Sequence, residues 1–363
     1  MTGVNGDSDT QNSFCGTAGA AIQAGSIHGG VHVHRSADHV DSDARTNVGE
    51  LGVAELYGKA ADRLGSEKPL VRLAGLHMLE RLAKENAGLR QAIVDMVCAY
   101  LRMPCQLDVP ADEPVLGGFL HVHHRSRFKP PVGSDHDVRA YNDRMQEREV
   151  RLAAQRIITG HLRPGDPDNP VSTFWPGIAL DLTGAVLIDF SLARCAVRTA
   201  TFESATFIGH TDFTAAVFTG SADFRIASFA GPSAIVYFQS VVFADSAYFM
   251  GAVFAGSAAF AGAMFRGSVN FASSAFGGLA DFAGAAFAGT ADFSQVDFFR
   301  SATFIETSFG STAYFYRAAF PALHTSFILA TFARDAPDEI RQFCSPEKLR
   351  ALWVDAQRDS CDP

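Results

Sequence analysis

The chain has 363 residues, enough for two domains and a sizeable hydrophobic core. It contains 31 Phe against 7 Tyr and 2 Trp, an imbalance that indicates one structural position filled by Phe many times. Its formal net charge of −9 argues against a general affinity for nucleic-acid phosphates, so no direct nucleic-acid binding is expected.

Cysteine and hydropathy patterns predict a cytoplasmic protein without a membrane span, metal or cofactor. The six cysteines are scattered without a CxxC pair, which is neither a disulfide framework nor a zinc pattern. His28, His32 and His34 lie close together but lack acidic or thiol partners at ligand spacing, so they predict no metal site. No apolar run reaches about 18 residues, and the polar N-terminus has no signal-peptide pattern.

Residues 1–46 are polar and rich in small side chains, which predicts a disordered tail with one short β-prone segment at 21–34. Part of that segment, Ile-Gln-Ala-Gly, resembles the core of RHIM-like amyloid signalling motifs, whose chains stack as cross-β. The longer stretch QAGSIHGGVH resembles segments found ahead of actinobacterial effector and signalling domains. These resemblances imply self-association, with a small hairpin or a flexible tail as the alternative. The interaction motif they imply comprises Ile22, Gln23, Ala24 and Gly25.

Apolar residues recur at helical spacing in residues 47–103, which predicts three helices that stop before Pro104. Residues 104–138 lack such periodicity and are predicted to form a loop. A further helix and a linker rich in Pro, Gly and Asp are predicted over residues 139–170. These elements indicate an N-terminal α-helical domain ahead of the repeats described next.

A regular repeat is predicted to fill residues 171–332. Large apolar residues first recur every five positions, each with a small or apolar residue two places earlier. Further along, the spacing alternates between six and five, so the repeating unit becomes 11 residues. One interruption, at Gly231-Pro232, marks an inserted turn of three residues. The Phe residues predicted to form the structural core of the repeats include Phe224, Phe249, Phe260, Phe271, Phe282, Phe293, Phe304 and Phe315.

This spacing fits stacked coils better than a helix or an ordinary strand. A single segment cannot bury a row of Phe, but stacked coils can place each ring on the ring of the coil below. The small residue two places earlier must also point inward, beside the ring. Gly, Ser, Thr and Asp then fall at the corners, where tight turns favour them. An antiparallel barrel or sandwich would instead need period-two alternation, which the repeat lacks.

The repeat resembles the pentapeptide-repeat family, whose motif is A-[D/N]-[L/F]-x-x. Matching segments include Ala222-Asp223-Phe224, Ala280-Asp281-Phe282, Ala291-Asp292-Phe293 and Ala302-Thr303-Phe304. The resemblance implies an all-β fold, a right-handed quadrilateral β-helix in which four pentapeptides close one square coil. About 28 such faces then give about seven coils, stacked about 4.8 Å apart. The 11-residue unit departs from the strict motif and predicts an extra corner residue on every second face, hence about 22 residues per coil.

Residues 333–363 are predicted to form a C-terminal capping helix and tail. Both ends of a solenoid expose its core and need to be covered. Ser345-Pro346-Glu347 has the pattern of a helix N-terminus, and an apolar stripe follows it. The stripe consists of Leu349, Leu352, Trp353 and Ala356. This helix is predicted to cover the final coil, with a free interaction helix as the alternative.

The repeat region does not have the composition of a catalytic domain. It contains two His and no Lys, so acid–base chemistry there would depend on scattered carboxylates. Phosphate-binding loops, zinc-protease motifs and nucleophile elbows are absent from the sequence. The sequence therefore predicts a non-enzymatic scaffold that uses the β-helix to bind another protein, in a signalling context, with self-association as a further prospect.

The pentapeptide-repeat resemblance also implies an alternative function, mimicry of duplex DNA that binds gyrase or another topoisomerase. Such mimicry requires a continuous acidic stripe. Residues 171–332 carry 10 acidic and 6 basic residues, a net charge of only −4. With about 22 residues per coil, positions 11 apart lie on opposite faces, which divides the aspartates between two columns. The predicted columns are Tyr248, Asn270, Asp292 and Tyr314 on one face, and Ala259, Asp281 and Thr303 on the opposite face.

Overall fold

The computed structural model describes residues 52–105, 135–166, 169–231, 235–321 and 324–344. From Glu55 onward the chain forms one compact unit, in which a helical region is followed by a β-solenoid of parallel strands. The predicted tail with its Ile22–Gly25 motif, most of the predicted loop and the predicted C-terminal capping helix lie outside the described residues.

The described residues of the helical region form four α-helices. They are α1 (52–64), α2 (Pro69–Glu85), α3 (Arg90–Arg102) and α4 (Asp135–Gly160), with a 3-10 turn at Ala87–Leu89. The helix α2 begins with a proline in its first turn, where the missing N–H costs nothing and the fixed φ suits a helix. Apolar side chains of α2, α3 and α4 are buried against one another, among them Leu79, Val97 and Ile157.

A buried arginine fixes the end of α3 against α4. Arg151 is 1% exposed, and its guanidinium donates hydrogen bonds to the carbonyls of Leu101 and Met103. Those carbonyls lie at the helix C-terminus, where no intrahelical N–H can reach them. The carboxylate of Glu147 lies 3.5 Å from the Arg151 guanidinium and 2.7 Å from that of Arg72, so it balances their positive charge. It also accepts a hydrogen bond from the Tyr100 hydroxyl at 3.0 Å.

Each coil of the solenoid contributes short strands to four parallel sheets, named faces 1 to 4 in the order the chain visits them. Face 1 contains β3 (Leu180–Asp181), β6 (Ala200–Thr201), β10 (Ala222–Asp223), β14 (Ala247–Tyr248), β18 (Val269–Asn270), β22 (Ala291–Asp292) and β26 (Ala313–Tyr314). Face 2 contains β4 (Val186–Ile188), β7 (Thr206–Ile208), β11 (Ser228–Ala230), β15 (Val253–Phe254), β19 (Ala275–Phe276) and β23 (Asp297–Phe298). Face 3 contains β8 (Thr211–Asp212), β12 (Ile235–Tyr237), β16 (Ser257–Ala259), β20 (Leu279–Asp281), β24 (Ser301–Thr303) and β27 (Thr325–Ser326). Face 4 contains β5 (Ala196–Val197), β9 (Val217–Phe218), β13 (Val242–Phe243), β17 (Met264–Phe265), β21 (Ala286–Phe287), β25 (Ser308–Phe309) and β28 (Thr331–Phe332). A short antiparallel pair, β1 (Gly165–Asp166) and β2 (Asn169–Pro170), precedes the first coil.

The strand registers define the length of a coil. Ala247 pairs with Val269, 22 residues later, and this spacing recurs in the following coils. The coil from Ala222 to Ala247 is longer, at 25 residues, and contains the predicted inserted turn. Faces 1 and 4 each have seven strands, so the solenoid has seven coils. The predictions of about seven coils and about 22 residues per coil are confirmed.

The core of the solenoid consists of Phe rings stacked in four columns. The ring of Phe249 lies 4.7 Å from that of Phe271 in the next coil, at an interplanar angle of 7°. Across the core it meets Phe260 edge-to-face at 5.7 Å and 89°. Such pairs add about 0.5–1.5 kcal/mol each beyond the burial of their surface. Every predicted core Phe is fully or almost fully buried, as the exposures of Phe224, Phe249, Phe260, Phe271, Phe282, Phe293, Phe304 and Phe315 show.

Two kinds of corner explain the alternation of five and six residues. Faces 1 and 3 end in a residue with a left-handed backbone, such as Ser204 at φ 56° or Glu306 at φ 56°. Faces 2 and 4 end in a wider corner with one extra residue, often including glycine. Gly267 shows why, because a Cβ there would lie 2.5 Å from the carbonyl carbon of Asp245 in the coil below.

The first coil is closed by two glutamines of the helical region. Gln155 on α4 donates to the Ile188 carbonyl at 2.7 Å and accepts from the Ile188 N–H at 2.9 Å. Gln91 on α3 makes the same pair of bonds with Ala179, both at 2.9 Å. Each side-chain amide thus replaces the peptide group of a missing neighbouring coil. An open strand edge would otherwise present unpaired N–H and C=O groups to other chains.

At the other end, a 3-10 helix lies against the last coil. This helix, Asp338–Phe343, buries Ile340 and Phe343. The ring of Phe343 lies 5.3 Å from that of Phe320 and 6.5 Å from that of Phe327. In the described part of the chain, this 3-10 helix therefore contacts the last Phe rings of the solenoid core. It precedes the predicted capping helix in the sequence.

The corner glycines give a first prediction. Gly267→Ala is expected to lower stability by about 1–3 kcal/mol, since its Cβ forces the backbones of two coils apart. Gly58→Ala is the matched control, because nothing lies within 4 Å of its Cβ position in α1. Replacing a helical glycine in open space should instead stabilise by about 0.5–1 kcal/mol. Urea midpoints of the two variants should shift in opposite directions; a loss of the same size in both would contradict the corner geometry.

The glutamines give a second prediction. Gln155→Leu should destabilise the protein by about 1–3 kcal/mol for each backbone group of Ile188 left buried without a partner. Gln146→Leu, at an exposed position of the same helix, should change stability by less than about 0.5 kcal/mol. Thermal unfolding followed by circular dichroism gives the midpoint of each variant, and Gln155→Leu should have the lower one. Equal midpoints for both variants would show that the amide of Gln155 does not hold the first coil.

Candidate interaction surface

The outward side chains of the solenoid decide what it can bind. In each pentapeptide the central residue and the residue two places before it point inward, so the other three positions meet solvent. The predicted columns are confirmed by the registers: Tyr248, Asn270, Asp292 and Tyr314 align on face 1, and Ala259, Asp281 and Thr303 on face 3. Neither column is a run of acidic side chains.

The aspartates of these columns are engaged in the turns of their own coils. The carboxylate of Asp281 accepts a hydrogen bond from the N–H of Ala283 at 3.0 Å, and Asp292 does the same for Ser294 at 2.9 Å. Asn270 makes the equivalent bond through its amide oxygen, to Ala272 at 2.7 Å. Because an uncharged amide serves equally well, the position requires a hydrogen-bond acceptor rather than a negative charge.

Face 1 and its corner expose three apolar side chains on coils 3 and 4, here called the Ile226 patch: Ile226, Tyr248 and Met250. Ile226 is 61% exposed, Met250 42% and Tyr248 39%. The N–H of Ile226 donates to the carbonyl of Met250 at 3.0 Å, which places the two residues on neighbouring coils. Ile226 lies next to Gly251 of the neighbouring coil, with its Cγ1 3.7 Å from the position that a Cβ would take there.

Ion pairs border the Ile226 patch. Arg225 lies 2.6 Å from Asp223 and 3.2 Å from Glu203. The hydrogen bond and charge of Asp223 raise the pKa of the Arg225 guanidinium. Two carboxylates share one guanidinium, so this border carries a local excess of one negative charge.

Metal-binding groups and reactive thiols were sought among the described side chains. Among them, no group of three His, Cys, Asp or Glu side chains could hold a metal ion. Burial raises the pKa of the Cys98 thiol to about 12 and that of Cys195 to about 11, so neither supplies a thiolate at neutral pH. Within the same part of the chain, every helix is too short or too polar to cross a membrane.

The residues predicted from the sequence and the residues of the exposed patch are different sets. The predicted Phe residues lie inside the solenoid and contribute no outward surface. The motif Ile22, Gln23, Ala24 and Gly25 lies outside the described residues. The Ile226 patch was not predicted, although one signal existed in the sequence. Ile226 occupies a corner position where the other coils carry Gly184, Ser204, Gly251, Ser273, Gln295 and Arg317.

Comparison with known protein families identifies the type of repeat. Residues 251–297 match the family model described as pentapeptide repeats, nine copies. The matched segment covers coils with the regular 22-residue register. No curated protein matches the chain. The chain therefore contains pentapeptide repeats wound into a parallel β-solenoid, preceded by an N-terminal helical region.

Proposed function

We propose that the protein is a non-catalytic interaction scaffold that binds another protein through face 1 of its solenoid. The observation that carries this proposal is the Ile226 patch. Isoleucine is exposed there at a left-handed corner, φ 56°. A β-branched side chain at such a backbone conformation is unusual and costs about 1–2 kcal/mol. Strain of this kind is found preferentially at functional sites.

The composition of the patch also fits a protein partner. Tyr and Met are enriched at protein interfaces, and binding energy concentrates on a few such side chains. Arg225, Asp223 and Glu203 supply a polar border beside the apolar centre. The stacked rings make the solenoid a rigid support, so the patch is presented without a large loss of conformational entropy on binding.

DNA mimicry with gyrase or another topoisomerase as the target has weaker support. The aspartates alternate with Asn, Tyr, Ala and Thr along faces 1 and 3, and several of them accept backbone hydrogen bonds. Arg225 further neutralises the carboxylates on face 1. A stripe with so few free carboxylates does not reproduce the charge density of a duplex.

A matched pair of substitutions tests the role of face 1. Ile226 and Leu329 are both exposed aliphatic residues at left-handed corners, on faces 1 and 3 respectively. Asparagine tolerates that backbone, so Ile226→Asn and Leu329→Asn should each raise stability by about 1 kcal/mol. We expect only Ile226→Asn to weaken partner binding, by about tenfold or more, since a central interface residue contributes about 2 kcal/mol or more.

The measurement is quantitative affinity capture with the full chain as bait, comparing wild type, Ile226→Asn and Leu329→Asn. Proteins that bind the wild type and Leu329→Asn but not Ile226→Asn are the expected partners. If both variants retain the same partners as the wild type, face 1 is not the binding surface. If both lose them equally, the effect is not specific to the patch, and the proposal fails as well.

A supercoiling assay separates the scaffold from the DNA mimic. Purified gyrase should keep its full activity in the presence of micromolar full-length protein, because the solenoid lacks a continuous acidic stripe. A DNA-mimic inhibitor of known activity serves as the positive control. Inhibition by this protein that persists in Ile226→Asn would support mimicry and count against the scaffold.

A further inference from the structure

A buried histidine joins the helical region to the segment that leads into the solenoid. His161 directly follows α4 and is 5% exposed. Its Nδ1 lies 2.8 Å from the Thr173 carbonyl oxygen, and its Nε2 lies 3.0 Å from a carboxylate oxygen of Glu80 on α2. The imidazole also stacks on the indole of Trp175, with ring centroids 3.9 Å apart and an interplanar angle of 3°. These four residues are here called the His161 clasp.

The clasp holds the segment that starts the first coil. The N–H of Trp175 donates to the carbonyl of His161 at 2.8 Å. Three residues later, the carbonyl of Ile178 accepts a hydrogen bond from the N–H of Arg198, which follows β5 on face 4, also at 2.8 Å. The segment from Thr173 to Ile178 is therefore fixed to the helices by His161 and to the first coil by Ile178.

The two polar contacts of the imidazole require a hydrogen on each of its nitrogens. A carbonyl oxygen only accepts hydrogen bonds, and so does an ionised carboxylate. Partial burial by itself would raise the pKa of Glu80, but hydrogen bonds from Lys84 and His161 hold it below its ordinary value, so this carboxylate is ionised at neutral pH. A neutral imidazole has one N–H and one bare nitrogen, which serves only one of the two acceptors. The clasp is therefore complete only with an imidazolium.

Charged groups from two helices surround the clasp. On α2, Lys84 lies 2.7 Å from one carboxylate oxygen of Glu80, and His77 lies 3.6 Å from the other. The guanidinium of Arg90, at the start of α3, lies 5.7 Å from the centre of the indole on which the imidazole stacks. Lysine and arginine side chains keep their charge through neutral pH, so a change of pH in this range acts on histidine. His161 is the buried histidine of the group, whereas the His77 side chain is 61% exposed.

We propose that the His161 clasp is a pH-sensitive joint, which ties the helical region to the first coil while His161 is protonated and loosens when it loses its proton. The neutral ring must release either the Thr173 carbonyl or the Glu80 carboxylate. Acid also opens the joint, because a protonated Glu80 no longer favours the imidazolium. Since the pKa of Glu80 is lowered, that happens only below the ordinary titration range of a glutamate. The joint is independent of the proposed function, which uses face 1.

Trp175 reports the state of the clasp. The chain has two tryptophans, so Trp353→Phe leaves Trp175 as the single one. In this full-length background, acrylamide quenching of Trp175, which is 1% exposed, should rise about twofold or more between about pH 5 and about pH 8, because the loosened joint opens more often. His161→Gln cannot change its charge and should show no such step. His77→Gln is the matched control, since it removes the exposed histidine beside the same carboxylate and should keep the step.

Substitution of Glu80 gives a second measurement, which does not require His161→Gln to fold. Glu80→Gln keeps an oxygen that accepts from the imidazole but removes the charge that favours the imidazolium, so the step should move to lower pH. Glu85→Gln, at an exposed carboxylate of the same helix, should leave the step in place. The proposal is overturned if the Trp353→Phe chain shows no step or if the step remains in His161→Gln. It is also overturned if the step disappears in His77→Gln or stays at the same pH in Glu80→Gln.

Discussion

The contact between one Phe ring and the ring of the next coil sets the geometry of the whole solenoid. Ring centroids in a column lie close to the separation of paired strands, for example 4.6 Å between Phe254 and Phe276, so stacking and backbone pairing are satisfied together. Only small side chains fit inward beside the rings, which explains the buried alanines such as Ala258 and Ala280. The corners must then close each coil at the same height, with a left-handed residue at one kind of corner and a glycine-containing turn at the other.

Because the inward positions are fixed by this stacking, variation is confined to the outward ones. Some of these are also constrained, since Asp281, Asp292 and Asn270 bind the backbone of their own turns. The remaining positions carry the functional information. The Ile226 patch uses residues that the fold does not require, so its composition can change without disturbing the stack.

The sequence predicts the periodic part of this structure well, and the reasons are physical. A slip of one residue would turn every Phe out of the core, so the frame of the repeat determines the coil length, the coil number and the residue columns. The two glutamines that close the first coil have no such signal, because Gln91 and Gln155 resemble ordinary helical surface residues until the coil they bind is known. The Ile226 patch has no such signal either, since only the coil register places Tyr248 and Met250 on the coil next to Ile226.

The glutamine contacts have a consequence for how the solenoid can vary in length. Gln155 and Gln91 bind the peptide groups of Ile188 and Ala179 and make no use of their side chains. These two contacts would therefore accept any coil with the same backbone path, whereas Arg102 and Arg148 add ion pairs to the side chains of Asp181 and Asp189. Whole coils of 22 residues could be duplicated or deleted between the ends without altering the helical region that starts the stack. The length and the surface of the solenoid can then change in evolution while the contacts between the helical region and the first coil stay the same.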